Sequence, residues 1–170
     1  MRTDTGDADR FAHLVAEHDR PLRALAFRLL GDRQAMDDVL QEAYAKAFRA
    51  LPQFRGESAT GTWLYRIVYN ACLDHLRRER RLAEQPLETG LPATPDPGES
   101  AARREALAAA LAALAPDQRA AVLLVDAEGL DYAAAARVLG VRVGTVASRL
   151  SRARASLRRA LAAEPEGVES

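Results

Sequence analysis

The sequence predicts an all-α protein made of two small helical domains joined by a flexible linker, with a helix-turn-helix as the second domain. Apolar residues recur at steps of three and four through most of the 170 residues, and β-branched runs are nearly absent. Four of the eight prolines fall within residues 82–100, which have no periodicity. This stretch therefore predicts a mobile linker between residues 1–81 and residues 101–170.

The first helices are predicted within residues 11–51. An apolar stripe begins at Phe11, and Pro21 is expected to open a second helix, because its missing N–H would be unpaired at a first helical position anyway. Asp32 is a predicted N-cap for the next helix, which Pro52 ends. The polar face of that helix includes three residues: Asp38, Gln41 and Glu42.

A long helix is predicted from about Thr62 to Arg81, after a loop at residues 53–61. At about 100° per residue, several polar side chains share one narrow stripe with Trp63. These are Arg66, Asn70, Asp74, Arg77 and Arg81. A tryptophan on a polar stripe can stack on single-stranded bases. The alternative is that Trp63 folds back onto the preceding loop and packs on Phe54.

The second domain is expected to begin near Ala101. One helix is lined by leucines, and the next runs from Pro116 to Gly129. Asp131 then caps a short helix that Gly140 ends, where a left-handed residue is needed. After a turn at residues 141–144, a last helix is predicted from about Thr145 to Leu161. Its expected buried stripe is Val146, Leu150, Ala153 and Leu157.

The last helix is strongly basic on its other faces. Six arginines and no acid lie between Arg142 and Arg159. Two helices with a glycine-containing turn and a basic second helix form a DNA-binding helix-turn-helix. The alternative is a solvated arginine-rich face, although such faces usually mix charges of both signs. The candidate DNA-contacting residues are Ser148, Arg149, Ser151 and Arg152.

Composition narrows the functional class. The formal net charge is zero, so the basic character is local. A single cysteine excludes an internal disulfide and suits a reducing compartment. Neither a signal peptide nor a membrane span is apparent in the sequence. We therefore expect a cytoplasmic protein. Cys72 and His75 could be half of a zinc site, but no second pair exists. We therefore predict no enzyme, metal or cofactor.

The order of these motifs resembles a bacterial RNA polymerase sigma factor of the extracytoplasmic-function subfamily. The resemblance covers nearly everything from Phe11 to Leu161. It lies in DDVLQEAYAKAF, FRGESATGTWLYRIVYNACLDHLRRERR, the Pro-rich segment and GLDYAAAARVLGVRVGTVASRLSRAR. It implies a protein that binds core RNA polymerase, recognises minus-ten and minus-thirty-five promoter elements and directs initiation. An anti-sigma protein is a candidate further partner.

The resemblance also assigns roles to particular residues. Residues 1–81 would dock on core polymerase, through Asp38, Gln41 and Glu42, and would recognise and melt the minus-ten element. A flipped base needs a pocket, and an amide such as that of Asn70 can read a base edge. The basic cluster at the end of this helix would bind phosphates, or would only solubilise the helix end; it consists of Arg77, Arg78, Arg80 and Arg81. The minus-ten residues implied are Trp63, Arg66, Asn70, Arg77, Arg78 and Arg81.

Two positions depart from the family pattern. Ala147 stands where the family usually has a basic residue, so a DNA contact is missing or the promoter sequence differs. Alanine also occurs near Ala134, where the family often has glutamate.

A competing interpretation is a helix-turn-helix repressor or response-regulator output domain, which leaves residues 11–81 without a function. The sequence identifies neither the promoters nor the inducing signal.

Overall fold

A computed structural model describes residues 5–56, 58–82 and 99–162, and within these ranges the chain is α-helical with no strand. The described ranges contain seven α-helices. They are α1 (Thr5–Leu30), α2 (Arg33–Ala50), α3 (Thr60–Leu82), α4 (Glu99–Ala112), α5 (Pro116–Val122), α6 (Tyr132–Leu139) and α7 (Val143–Ala162). The prediction of an all-α fold is confirmed for this part of the chain.

Helix α1 is a single helix, so the prediction that Pro21 opens a second one is wrong. Pro21 lies inside α1. An interior proline usually costs about 3 kcal/mol because it removes a backbone hydrogen bond and clashes with the preceding turn. Leu22, the next residue, and Leu25, about one turn further along, are both 0% exposed. Their burial continues the apolar stripe across the proline and offsets this local cost.

Local signals explain how α2 and α3 begin and end. The Asp32 carboxylate accepts a 2.6 Å hydrogen bond from the N–H of Ala35, which confirms the predicted N-cap of α2. A turn of 3-10 helix at Leu51–Gln53 contains Pro52 and leads into the loop before α3. Helix α3 extends past the predicted start by two residues, from Thr60.

The second half contains the predicted helix-turn-helix. Asp131 caps α6 by accepting a 2.7 Å hydrogen bond from the Ala134 N–H, and Gly140 ends it with φ 65°. The connection to α7 is shorter than predicted, since α7 already begins at Val143. Helix α5 continues as a π-helical turn at Leu123–Ala127. The predicted buried stripe of α7 is confirmed: Val146, Leu150 and Ala153 are buried, and Leu157 packs against them.

The two halves pack against each other. Helix α3 lies against α6, and α1 contacts both α4 and α5. Buried residues of both halves form one contiguous apolar cluster. Of the predicted linker, 82–100, the two ends are helical and residues 83–98 lie outside the described part of the chain. Among the helices described, none is long and apolar enough to cross a membrane.

Candidate nucleic-acid interface

The polar stripe of α3 forms the first candidate surface. Arg66, Asn70 and Arg77 are exposed, as their spacing predicts. The Arg77 guanidinium lies 3.5 Å from the Asp74 carboxylate, and the Arg81 Nε donates a 3.2 Å hydrogen bond to the Arg77 carbonyl. These contacts are on the solvent side of the helix, so the stripe remains open to a polyanion.

A cleft of about 620 Å³ opens beside the start of this stripe. Trp63, Arg66 and Asn70 line one side, so the structure brings these three predicted residues together. The other side is formed by loop and α2-end residues: Ala50, Gln53, Phe54, Arg55 and Ser58. Of these, only Phe54 was anticipated from the sequence, as a packing partner of Trp63. The only feature of the sequence that could have placed these residues at the cleft is their position shortly before Trp63. The cleft combines an aromatic wall, cations and an amide, which suits an unstacked base and its phosphate.

Trp63 packs against Phe54, with ring centroids 5.0 Å apart and planes inclined by 38°. The alternative considered for Trp63 is therefore correct as a description of its packing. The ring is nevertheless only partly buried and still lines the cleft. Trp63 thus supports the loop wall and presents part of its surface to the cleft.

Arg137 of α6 lines the same cleft, although it lies in the other half of the chain. Its side chain is exposed and one turn after Ala133, on the outer face of α6. Its position near α3 could not be predicted, because the spacing of residues within α6 carries no information about which helix packs beside it. The cleft is therefore bounded by both halves.

The basic face of α7 forms the second candidate surface. The Arg149 Nε lies 3.1 Å from the Asp117 carboxylate, and its side chain is 21% exposed. Arg154 binds Asp126 through two nitrogens, with its Nε at 3.0 Å. Arg152 is exposed and forms no ion pair with any residue that the structure describes. The two serines are exposed as well, Ser148 with its hydroxyl donating to the Thr145 carbonyl at 3.0 Å.

The predicted polymerase-binding residues share the exposed face of α2. Asp38 accepts a 3.2 Å hydrogen bond from the Gln34 side chain, and Gln41 is exposed. Glu42 lies 2.8 Å from Lys46 and 3.4 Å from Arg78 of α3. The hydrogen bond from Lys46 is the main reason that the pKa of Glu42 is lowered. Arg78, predicted to bind DNA, therefore pairs with a residue of the α2 face.

No metal centre is apparent in the ranges described, where no group of three or more histidine, cysteine, aspartate or glutamate side chains converges. Cys72 is 0% exposed, and burial raises the pKa of its thiol to about 12. His75 lies 3.3 Å from Glu79 one turn further along α3. These two residues, the candidates for half a zinc site, are thus a buried thiol and an imidazole that lies near one carboxylate.

Comparisons with known proteins agree with this geometry. Residues 14–82 match the family model Sigma-70 region 2, and residues 104–157 match Sigma-70, region 4. The chain is 42% identical to the ECF RNA polymerase sigma factor SigM of Mycobacterium tuberculosis, over 96% of this chain and 83% of that protein. It is 34% identical to the ECF RNA polymerase sigma-E factor of Escherichia coli K12, over 92% and 88% of the two chains.

One solved structure has the same fold over both halves of the chain. It is the sigma factor RpoE in complex with the anti-sigma factor NepR from Bartonella quintana, with a TM-score of 0.78 and 28% identity over 92% of this chain and 99% of that chain. Sigma factors are transcription initiation factors, so the prediction of a non-catalytic protein is confirmed. The match to region 2 assigns a sigma-factor function to the first half of the chain, residues 11–81, which the repressor interpretation left without one. The chain belongs to the extracytoplasmic-function sigma factors of the sigma-70 family, which recognise promoters and direct transcription initiation with RNA polymerase.

Proposed function

We propose that three separate surfaces of this sigma factor divide the work of initiation. The exposed face of α2, at Asp38, Gln41 and Glu42, docks on core RNA polymerase. The α3 stripe and its cleft hold the minus-ten element. The basic face of α7 reads the minus-thirty-five element, and the protein works in the cytoplasm with the polymerase.

The observation that carries this proposal is the pairing state of the arginines on α7. Asp117 and Asp126 hold Arg149 and Arg154, whereas Arg152 is exposed and unpaired among the residues described. A free arginine in the first half of a recognition helix can donate to guanine O6 and N7 together. Ser148, one turn earlier on the same face, is short and tolerant of base identity.

At the minus-ten element, the cleft at α3 supplies a place for a base that has left the stack. Asn70 offers a donor and an acceptor to its edge, and the Trp63 ring offers a surface for stacking. Arg66 lies between them on the stripe and is exposed. Arg77 and Arg81 continue the positive charge for about three further turns, where a phosphate backbone would run.

The test is run-off transcription with purified core polymerase, the full-length chain and a library of genomic promoter fragments. We expect a defined subset of fragments to give transcripts that begin at one position each. Core polymerase alone is the control for unspecific initiation. If the chain bound core polymerase and yielded no promoter-dependent transcript, the proposed function would be wrong.

An anti-sigma protein is a second proposed partner. The Bartonella quintana sigma factor, whose fold this chain shares at a TM-score of 0.78, was crystallised with its anti-sigma factor. A sigma factor that exposes polymerase-binding and DNA-binding faces needs such control. Affinity purification from the native cell, with and without added core polymerase, should recover a protein that core polymerase displaces.

A further inference from the structure

Helix α7 carries five arginines and no acidic residue, so the ion-pair partners of its arginines must come from elsewhere in the fold. Two such pairs exist, and both partners lie in the scaffold that supports α7. Asp117, in the first turn of α5, holds Arg149, and Asp126, in the π-helical turn after α5, holds Arg154. Arg152 lies between them, exposed and without an ion-pair partner among the described residues. The scaffold therefore neutralises particular arginines of α7 and leaves another one free.

The two paired arginines flank the buried stripe of α7 on opposite sides. At about 100° per residue, the centre of this stripe lies about 70° from Arg149 in one direction and about 70° from Arg154 in the other. Arg152 lies about 130° from the same centre, on the outward face. A helix about 10–12 Å wide fills the major groove, which is about 12 Å wide, so its flanks meet the phosphates while its outward face meets base edges. By position, Arg149 and Arg154 would therefore bind phosphates.

The two aspartates fix the direction of these guanidinium groups as well as neutralising them. One oxygen of the Asp117 carboxylate accepts a 2.9 Å hydrogen bond from the Gln118 N–H, and the other lies 3.1 Å from the Arg149 Nε. The Arg149 side chain is only 21% exposed, so solvent screens this pair less than a fully exposed one. Asp126 binds Arg154 through two nitrogens, a geometry that restricts the orientation of both groups.

We infer that Asp117 and Asp126 hold Arg149 and Arg154 away from the phosphates of promoter DNA, and so limit the part of the affinity that does not depend on base sequence. The inference rests on the proposed function, because it concerns the face of α7 that reads the minus-thirty-five element. Each arginine that binds a phosphate steepens the salt dependence of DNA binding by about 0.9. The first half of α7 contains only two arginines, Arg149 and Arg152. With Arg149 withheld, a larger share of the binding free energy comes from base contacts.

The test is promoter binding by the holoenzyme of core polymerase and the full-length chain, measured at several salt concentrations. Asp117→Asn keeps the size of the side chain and an oxygen for the Gln118 N–H, but it loses the charge that holds Arg149. We expect this variant to bind the preferred promoter up to about fivefold more tightly at low salt. Its salt slope should be steeper by about one, so a fourfold rise in salt should weaken it about 3.5 times more than the wild type.

The gain should be the same on every promoter sequence. A released Arg149 meets a phosphate, so promoters substituted at each minus-thirty-five position should gain as much as the preferred one. Asp126→Asn should act in the same way through Arg154, and the two substitutions together should steepen the slope by about two. A purely structural role of the aspartates predicts the opposite sign, because a disturbed α7 would bind promoters more weakly.

Two further variants isolate the mechanism. Glu105→Gln is the matched control, because it also removes one negative charge from the second half, at an exposed position of α4. Its salt slope should equal that of the wild type. Adding Arg149→Gln to Asp117→Asn removes the released guanidinium, so the slope should return to the wild-type value.

Unchanged affinity and slope in both Asp117→Asn and Asp126→Asn would overturn the inference, and so would weaker promoter binding by both. It would equally be overturned if the gain persisted after Arg149→Gln was added, or if Glu105→Gln gave the same gain. A wild-type holoenzyme that bound no promoter in preference to other DNA would overturn the proposed function, and this inference with it. Normal promoter binding by the wild type, with no change in the two aspartate variants, would overturn this inference alone.

Discussion

The hydroxyl of Tyr65 and the carboxylate of Glu128 are hydrogen-bonded across 63 positions of the sequence, at 3.0 Å. This bond joins α3 to the π-helical end of α5, and the apolar cluster around it contains residues of both halves. The two halves therefore contribute to one contiguous apolar core, although each carries its own sigma-70 region.

We predict an energetic coupling between these two residues. Tyr65→Phe should lower the free energy of unfolding by about 1 kcal/mol, and Glu128→Ala by a similar amount, because each removes the same bond. In the double variant the losses should not add. Urea unfolding of the four proteins gives the coupling. Tyr44→Phe, which loses a 2.9 Å hydrogen bond to Asp19 within the first half, should be additive with Glu128→Ala.

The thiol of Cys72 should resist modification in the folded protein. Burial raises its pKa to about 12, so at pH 8 almost no thiolate forms. Because the folded-state pKa exceeds the unfolded value, this group favours the folded state below about pH 8.5, and its contribution falls as the pH rises toward 12. Thiol-reactive dye should label the native protein slowly and the urea-unfolded protein at once. Fast labelling at pH 8 without denaturant would contradict this prediction.

Periodicity and capping signals predicted the helices, but not the contact between the halves. Asp32, Asp131 and Gly140 act locally, so their roles could be inferred from neighbouring residues alone. Pro21 gave a wrong helix boundary, because its local penalty is outweighed by leucines that are buried through tertiary packing. The helix that covers α3 depends on contacts between residues far apart in the chain, which no local spacing encodes.

In the candidate site, too, the features set by local spacing were predicted and those set by distant contacts were not. The α3 stripe was predicted from the helical rotation of about 100° between successive residues, and all of its polar members are exposed. Arg55 and Arg137 were missed, because a loop and a distant helix close the cleft. The pairing of Arg149 with Asp117 was also beyond sequence reasoning, since it joins α7 to the start of α5.

Charge reversal on α2 should separate polymerase binding from folding. Asp38 is exposed and bonded only to the neighbouring Gln34 side chain among the contacts described, so Asp38→Arg should change the free energy of unfolding by less than about 0.5 kcal/mol. Glu42→Arg also breaks the pair with Arg78. The double variant should bind core polymerase at least about tenfold more weakly, which fluorescence anisotropy can measure.

The Asp9→Arg, Glu17→Arg double variant provides the matched control for this experiment, because it makes the same charge change at two exposed positions of α1. It should bind core polymerase like the wild type. Normal binding by the Asp38→Arg, Glu42→Arg double variant would show that polymerase docks on another face.

Substitutions in the α3 cleft should separate base recognition from strand opening. Asn70 is exposed, so Asn70→Ala should leave stability nearly unchanged and alter the preferred base at one minus-ten position. Trp63→Ala should impair opening more than closed-complex binding, and it should also cost stability because the contact with Phe54 is lost. Permanganate footprinting on duplex and pre-melted templates separates these steps. Equal loss on both templates would assign Trp63 to the fold alone.

Arg152 should read a base of the minus-thirty-five element. It is exposed and unpaired among the described residues, whereas Asp117 holds Arg149 and Asp126 holds Arg154. Arg152→Ala should cost about 1–3 kcal/mol on the preferred promoter and relax the preference at one base pair. Binding to promoters with all four bases at each position, at several salt concentrations, measures both effects.

The other arginines of α7 distinguish base reading from phosphate binding. Arg158 and Arg159 lie two turns beyond Arg152, so either one replaced by alanine should weaken all promoters alike and reduce the salt slope by about one. Arg154→Ala controls for loss of an ion pair on the same helix, and should act on stability rather than on base preference. A uniform loss with unchanged preference in Arg152→Ala would transfer the reading role to Arg149, whose Nε lies 3.1 Å from the Asp117 carboxylate.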